Sequence, residues 1–322
     1  MRNPTVVAVV GNRASRGLSL IELMVALVIG LLLLAGALTV YMQSRSTYRT
    51  NDVASRMQEV GRYALDVIGP DVRLAGFWGL TNRPASFTNG AGAVGGDCGG
   101  NWAVNVALPI EGRDAKATGG NGYDLACAVT AGVTAVDWAD VLIVRRAATE
   151  TAALEDGRLQ VQSNREAAAL FSDGVRPANF GAGTQSETHN LISEAYYVGE
   201  GAAVNGLRQF SLRRQTLIGG GPSMRDDEVI PGVQDLQVQF GLDVNGDGTV
   251  ERYVNPEDPI PAGARIATVQ LWLLVVAEER EVGFTDDHTY SYANADQKDD
   301  VFHDNRRRVL MTKTIQIRNA AT

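Results

Sequence analysis

The chain has 322 residues, 45% of them hydrophobic and 20% charged, with 29 Lys and Arg against 37 Asp and Glu, giving a formal net charge of −8. A net acidic chain with no basic stripe interleaved with aromatics argues against binding to nucleic-acid phosphates. The length leaves room for one large or two small domains, at about 100 to 200 residues per domain; one head after a single apolar helix is the reading adopted.

Residues Met1 to Gly17 carry Arg2, Arg13 and Arg16 and no acid. The short apolar patch Val6 to Val10 within them cannot span a bilayer and has no assigned role. From Leu18 to Met42 the only charged side chain is Glu22, so the run exceeds the ~20 apolar residues that cross a bilayer as a helix. A charge within a membrane segment costs on the order of 3 kcal/mol by insertion scales, which makes Glu22 a functional candidate. The alternative is an interfacial, solvated carboxylate about one turn from Gly17. No small-residue cleavage site of the secretory kind follows the apolar run before Gln43, so a cut is expected ahead of the helix, where Arg16-Gly17 ends against the apolar run.

The stretch Gly17-Leu18-Ser19-Leu20-Ile21-Glu22-Leu23 resembles the class III signal of type IV prepilins, with glutamate fifth after the cut. The resemblance implies that a prepilin peptidase cleaves after Gly17 and methylates the new amine of Leu18. The helix then stays in the inner membrane, head in the periplasm, until assembly. Leu18 departs from the usual phenylalanine. The resemblance also implies that Glu22 engages an amine within an apolar helix bundle. Such a pair serves recruitment and register more than raw stability, because desolvating both charges offsets their attraction.

Beyond the membrane segment, Val53, Met57, Val60, Ala64 and Val67 recur at steps of four and three and predict an amphipathic helix, the seam on which a head packs. Asp52, Arg56, Glu59, Arg62 and Asp66 lie off that stripe, and Gly69-Pro70 is expected to end the helix. A helix from Leu18 to Ile68 would reach roughly 75 Å. The expected organisation is a leader, 1–17, a transmembrane and spine helix, 18–69, and a head, 70–322. Asp71-Val72-Arg73-Leu74-Ala75-Gly76-Phe77-Trp78-Gly79 after the spine, and Arg307 to Asn319 as a closing strand, resemble the PilW family of minor type IV pilins. The minor pseudopilin J of type II secretion shares much of this character.

Residues Phe87 to Gly122, rich in glycine, asparagine and alanine, read as a long irregular surface excursion. Gly90 to Gly95 matches GxGxxG, but no strand precedes it and no helix opens after it, so dinucleotide binding is not supported. Cys98 and Cys127 are the only cysteines. The topology implied by the pilin resemblance places both in an oxidising compartment, where a disulfide is the natural pairing; two buried free thiols are the alternative. Closing that loop would contribute roughly 3 to 4 kcal/mol in the chain-entropy model.

Strand patterns dominate the remainder. Asp140 to Arg145 is an apolar run and Leu207 to Leu217 partly alternates. Leu236, Val238, Phe240 and Leu242 alternate with Gln237, Gln239 and Gly241, predicting one buried and one wet face. Ile266 to Val276 and Val309 to Ile317 add two more. Without helical patterns between strands, the expected fold is α+β, a long amino-terminal helix packed on an antiparallel sheet with the glycine-rich excursion on its flank.

Enzyme chemistry finds little support. His189, His288 and His303 lack metal-binding spacing, and neither a GxSxG elbow nor a GxxxxGK[ST] loop is present. The acid pairs Asp226-Asp227, Asp286-Asp287 and Asp299-Asp300 read as solvated surface. Asp243-Val244-Asn245-Gly246-Asp247-Gly248-Thr249-Val250-Glu251 matches the first half of a calcium loop, with oxygens at alternate positions and glycine at the sixth. The twelfth position is Val254, so Glu251, Glu257 or Asp258 would have to supply the missing carboxylate. The same stretch reads as a β-hairpin turn, since Asn-Gly and Asp-Gly are strong turn formers, and a cation within that turn is compatible with it.

These readings predict a non-enzymatic minor pilin that primes or caps a type IV pilus. Its expected partners are other minor pilins, the major pilin, a tip adhesin, the prepilin peptidase and the inner-membrane assembly platform; calcium is the one cofactor considered. A minor pseudopilin of type II secretion is the first alternative, and a tip adhesin or calcium-tuned binding module the second.

Overall fold

The computed structural model describes residues 17, 19–82, 86–90, 98, 101–115, 122–181, 185–221, 223–293, 302 and 304–319. Leader residues 1–16, Leu18, Ala91 to Gly95 of the glycine motif, Asp299-Asp300 and His303 lie outside these. Two units are distinguished, residues 1–52 and 53–322.

The first unit contains the amino-terminal part of helix α1, Leu20–Leu74. Its large apolar side chains from Leu20 to Met42 are exposed, and the helix is long and apolar enough to cross a membrane.

In the second unit the helix buries the predicted stripe. Met57 and Ala64 are buried, while Val53, Val60 and Val67 are half-buried against the same apolar clusters. Leu65, Ile68 and Val72 extend that face, each large side chain contributing roughly 1.5 to 3 kcal/mol on burial. A Cβ at Gly61 would run into the Met311 sulfur, so a glycine lets the last strand approach the helix closely. The expected stop at Gly69-Pro70 is overturned, because the helix runs through Pro70 to Leu74. Proline removes one helical hydrogen bond and costs about 3 kcal/mol inside a helix. Burial of Val72 and a carboxylate–guanidinium contact from Asp71 to Arg146 offset that cost. The helix ends instead at Gly76, whose φ of 75° suits the left-handed position just past a helix terminus.

The strands are β1 Ser86–Asn89, β2 Ile110–Arg113, β3 Thr134–Ala135, β4 Val141–Thr151, β5 Asp156–Ser163, β6 Ala167–Asp173, β7 Glu187–Val204, β8 Leu207–Ile218, β9 Ser223–Pro231, β10 Val233–Asp243, β11 Arg252–Val254, β12 Arg265–Val276 and β13 Arg308–Gln316. They form two sheets where one was expected. The larger, nine-stranded sheet is built around β7, which pairs antiparallel with β3, β4, β5 and β8. Its pairing is antiparallel except for β1, which runs parallel to β6. The smaller sheet, ordered β11-β10-β12-β13, is antiparallel throughout.

Alternation places the two faces of the larger sheet in different cores. Leu142, Val144, Tyr196 and Val198 join the spine helix and the small sheet. Val141, Ile143, Ala195 and Tyr197 face a second cluster that includes Trp78, Trp102, Leu125 and Cys127. Burial on both faces explains why β4 begins as an unbroken apolar run.

Two further expectations are corrected. The excursion after Phe87 is not wholly irregular: it contributes β1 and β2, and a turn of 3₁₀ helix at Trp102–Val104 buries all three of its side chains. The buried Arg145 ties this segment down, its Nε donating to the Trp102 carbonyl and its Nη1 to that of Leu108, each at 2.5 Å, and its Nη2 to Glu111 at 2.7 Å. The face of β10 expected to be wet is largely covered. Gln237 is buried and donates to the Trp138 carbonyl at 3.0 Å, and Gln239 donates to Asn255 at 2.8 Å. Asp140, fully buried, accepts the backbone N–H groups of Ala115 at 3.1 Å and Val238 at 3.0 Å.

Candidate assembly site and acidic hairpin

At the start of α1, Ser19 and Glu22 hold each other. The Ser19 N–H donates to Glu22 Oε2 at 2.9 Å, and the Glu22 N–H donates to Ser19 Oγ at 3.2 Å. This reciprocal pair is a capping box, which satisfies amide groups that a helix leaves unpaired at its amino end. A carboxylate here is also favoured by the helix dipole. The spacing Ser-x-x-Glu is legible in the sequence, yet the single charge in an apolar run draws the reading toward a distant partner instead. Gly17 lies in the described residues and Leu18 outside them. The carboxylate of Glu22 therefore sits over the first amides of the helix, close in sequence to the bond between those two residues.

The acidic stretch forms the turn between β10 and β11, as the hairpin reading expects. Asp243 Oδ1 accepts the Gly246 N–H at 2.6 Å and Oδ2 that of Gly248 at 3.0 Å. Asn245 Oδ1 accepts the Asp247 N–H at 2.8 Å, and Asp247 Oδ1 accepts both the N–H and the hydroxyl of Thr249, at 2.8 and 2.6 Å. These donors hold the exposed Asp247 carboxyl below its ordinary range, the Thr249 hydroxyl contributing most. Gly246 and Gly248 have φ of 80° and 85°, which the tight turn requires and which side chains disfavour. Oxygens of Asp243, Asp247 and Glu251 lie within 4.8 Å of one another. The structure thus brings Glu251 to the loop. Asp258 instead accepts the Asn255 N–H at 2.9 Å, Glu257 lies 3.9 Å from Arg113, and Val254 is buried in β11. Three hard carboxylate oxygens around a glycine turn fit a divalent cation by donor chemistry.

Cys98 and Cys127 are joined as a disulfide. Cys127 is buried beside Trp102 and Leu125 in the second apolar cluster. Its carbonyl accepts the Tyr123 hydroxyl at 3.2 Å, and that hydroxyl accepts from Gln215 Nε2 at 2.9 Å, so β8 helps to fix the bridged segment.

The acid pairs are not simply surface. Asp226 receives the Tyr197 hydroxyl at 2.7 Å, the Thr130 N–H at 2.7 Å and the Arg213 guanidinium at 2.9 Å, donors that together hold its carboxyl below the usual range despite burial. Asp286 is fully buried and meets Arg308 at 2.9 Å. A cluster at the end of α1 has no counterpart in the sequence reading. Tyr196 Oη lies 2.5 Å from Asp71 Oδ2 and 2.7 Å from Glu194 Oε2, with Arg146 on Asp71 at 2.6 Å and Arg214 on Glu194 at 3.2 Å. Burial, and then the Asp71 charge, raises the Glu194 carboxyl. Among the described histidines, His189 is buried against the Glu150 carbonyl at 3.0 Å and His288 contacts Asp286 at 3.2 Å.

Residues 12–38, spanning the processing stretch and most of the apolar run, match the prokaryotic N-terminal methylation motif. The chain is a type IV pilin-like protein, with an apolar helix fit for membrane anchoring. More narrowly, residues 195–319 match the family described as Type IV Pilus-assembly protein W. That match takes in the closing strand β13 but not Asp71 to Gly79, and the chain is PilW-like. A solved structure, the type IV-like pilin TTHA1219 from Thermus thermophilus, aligns at 11% identity over 85% of this chain and 98% of that one, with a TM-score of 0.32. No curated protein matches.

Proposed function

We propose that the chain is a minor pilin, a structural and assembly subunit that primes or caps a type IV pilus. The observation that carries this reading is the coincidence of the methylation motif with an exposed apolar helix bearing one carboxylate at its start. In this reading residues 1–17 are a leader, residues 18–69 the transmembrane and spine segment, and residues 70–322 a periplasmic head. Prepilin peptidase cleaves after Gly17 and methylates Leu18. Freed of the leader, the Leu18 amine stands beside the Ser19–Glu22 pair, and Glu22 neutralises an amine in the apolar bundle during assembly. Other minor pilins and the major pilin then pack on α1. The β10–β11 turn binds calcium weakly through Asp243, Asn245, Asp247, Thr249 and Glu251, and the cation would neutralise three neighbouring carboxylates and stiffen that turn.

The deciding experiment deletes the gene and measures surface pili and secreted enzymes separately. Lost pili with intact secretion is the expected outcome; intact pili with lost secretion would select a type II pseudopilin instead. Intact-mass analysis of the membrane-bound chain should give a mature form beginning at Leu18, and a retained leader in cells with active prepilin peptidase would overturn the assembly reading.

A further inference from the structure

The apolar part of α1 has a built edge at its carboxy-terminal end. From Leu20 to Met42 the helix rises about 33 Å at 1.5 Å per residue, close to the ~30 Å of a bilayer hydrocarbon core. Tyr41 lies in the last turn of that run and the next two turns carry Arg45, Tyr48 and Arg49, all exposed. Steps of four and three place Tyr41, Arg45 and Tyr48 on one face of the helix, and Arg49 follows Arg45 at four. No ion pair of either arginine occurs among the described residues, whereas the acids that follow begin only at Asp52.

We propose that Tyr41, Arg45, Tyr48 and Arg49 form a binding surface for the phosphate headgroups of anionic phospholipids in the leaflet where the apolar run ends. The inference rests on the reading of α1 as a membrane helix and adds a lipid class to it. Guanidinium groups match phosphate through two parallel hydrogen bonds and stay charged at any physiological pH. Tyrosine settles at the membrane–water boundary, ring toward the hydrocarbon and hydroxyl toward the headgroups. Once the leader with its three arginines is removed, the charged groups flanking the apolar run are the Leu18 amine and Glu22, which sum to no net charge, at one end and these arginines at the other. The positive end is then the one able to hold the helix against withdrawal by binding lipid phosphates. Anionic lipid gathered there would be released as the helix leaves the bilayer.

The test uses the full mature chain in phosphatidylcholine vesicles containing traces of spin-labelled phosphatidylglycerol or phosphatidylcholine, comparing the fractions immobilised at the protein. A preference for phosphatidylglycerol of roughly fivefold is expected, shrinking with added salt. It should fall to about unity in Arg45→Gln/Arg49→Gln and persist in Arg45→Lys/Arg49→Lys. Immobilised lipid without headgroup preference, or a preference that survives the glutamine pair, overturns the proposal while leaving the membrane helix intact. No immobilised lipid of either kind would overturn the membrane reading itself, and the proposal with it. Loss of pilus incorporation in the glutamine pair without any lipid preference would assign the arginines to a protein neighbour, again refuting it.

Discussion

Tyr196 has one hydroxyl hydrogen and two carboxylate neighbours at hydrogen-bond distance, 2.5 Å to Asp71 and 2.7 Å to Glu194. Both contacts are satisfied only if a second proton is present, and the raised Glu194 carboxyl is its natural holder: Glu194 donates to Tyr196, and Tyr196 donates to Asp71, which also meets Arg146. Tyr196→Phe keeps the ring and its packing but removes both bonds. A hydrogen bond to a charged acceptor contributes about 1.5 to 3 kcal/mol and a neutral one about 1, so a loss of about 3 kcal/mol is expected. For a unit of this size that lowers Tm by roughly 6 to 12 °C. Glu194→Gln mimics the protonated acid, since its amide can donate to the tyrosine oxygen, and should cost far less. The pH dependence follows from the direction of the shift. A carboxyl raised in the folded state adds stability fully below its unfolded value near 4.5, and that stability is lost as pH climbs toward the raised folded value. Thermal unfolding of the oxidised chain from about pH 4 to about pH 9 should therefore show a decline that Glu194→Gln flattens. Equal losses in Tyr196→Phe and Glu194→Gln at every pH, or a change in Tm below about 1 °C in the first, would refute the proton on Glu194.

Glu22→Ala should leave cleavage and membrane insertion near normal and lower incorporation into sheared pili; Glu22→Gln, which can still accept the Ser19 N–H, separates the helix cap from the charge, and should match Ala if charge is what assembly needs. Reduction of Cys98–Cys127, or Cys98→Ala/Cys127→Ala, should cost roughly 3 to 4 kcal/mol in the chain-entropy model and loosen mainly the bridged segment, checked by unfolding and limited proteolysis. Calorimetry should show weak calcium binding, toward roughly 10⁻⁴ to 10⁻³ M, that vanishes in Asp243→Ala/Asp247→Ala; no heat at several millimolar would leave a hairpin turn alone. Burial pushes the Asp140 carboxyl up to about 8, so its share of stability is full below about 4 and lost as pH rises through about 8; Asp140→Asn should flatten that slope, and an unchanged slope would contradict the assignment.

The sequence by itself determined what depends on local pattern. An unbroken apolar run, a stripe at steps of three and four, and Asn-Gly-Asp-Gly between alternating residues each specify their element without reference to distant parts of the chain. The membrane-length helix, the packing seam and the β10–β11 hairpin follow from that. Tertiary structure decided wherever burial overrode local preference. Pro70 is a sound local stop, yet the turn beyond it is held by Val72 in the core and by Asp71 on Arg146, a strand residue far beyond any local window. Gln237 reads as solvent-facing because glutamine usually is, but a carbonyl from a separate segment satisfies its amide inside. Asp140, at the head of an apolar run, is held in the same way by two backbone N–H groups from other parts of the chain. Strand β7 escapes sequence notice because it is covered on both faces over much of its length and pairs with four other strands, so it shows neither clean alternation nor a uniform apolar run. The capping box is readable from Ser19 and Glu22 alone. The Asp71–Tyr196–Glu194 cluster is not readable at all, since its members come from a helix end and a strand far along the chain, and only their packing brings both carboxylates to one hydroxyl.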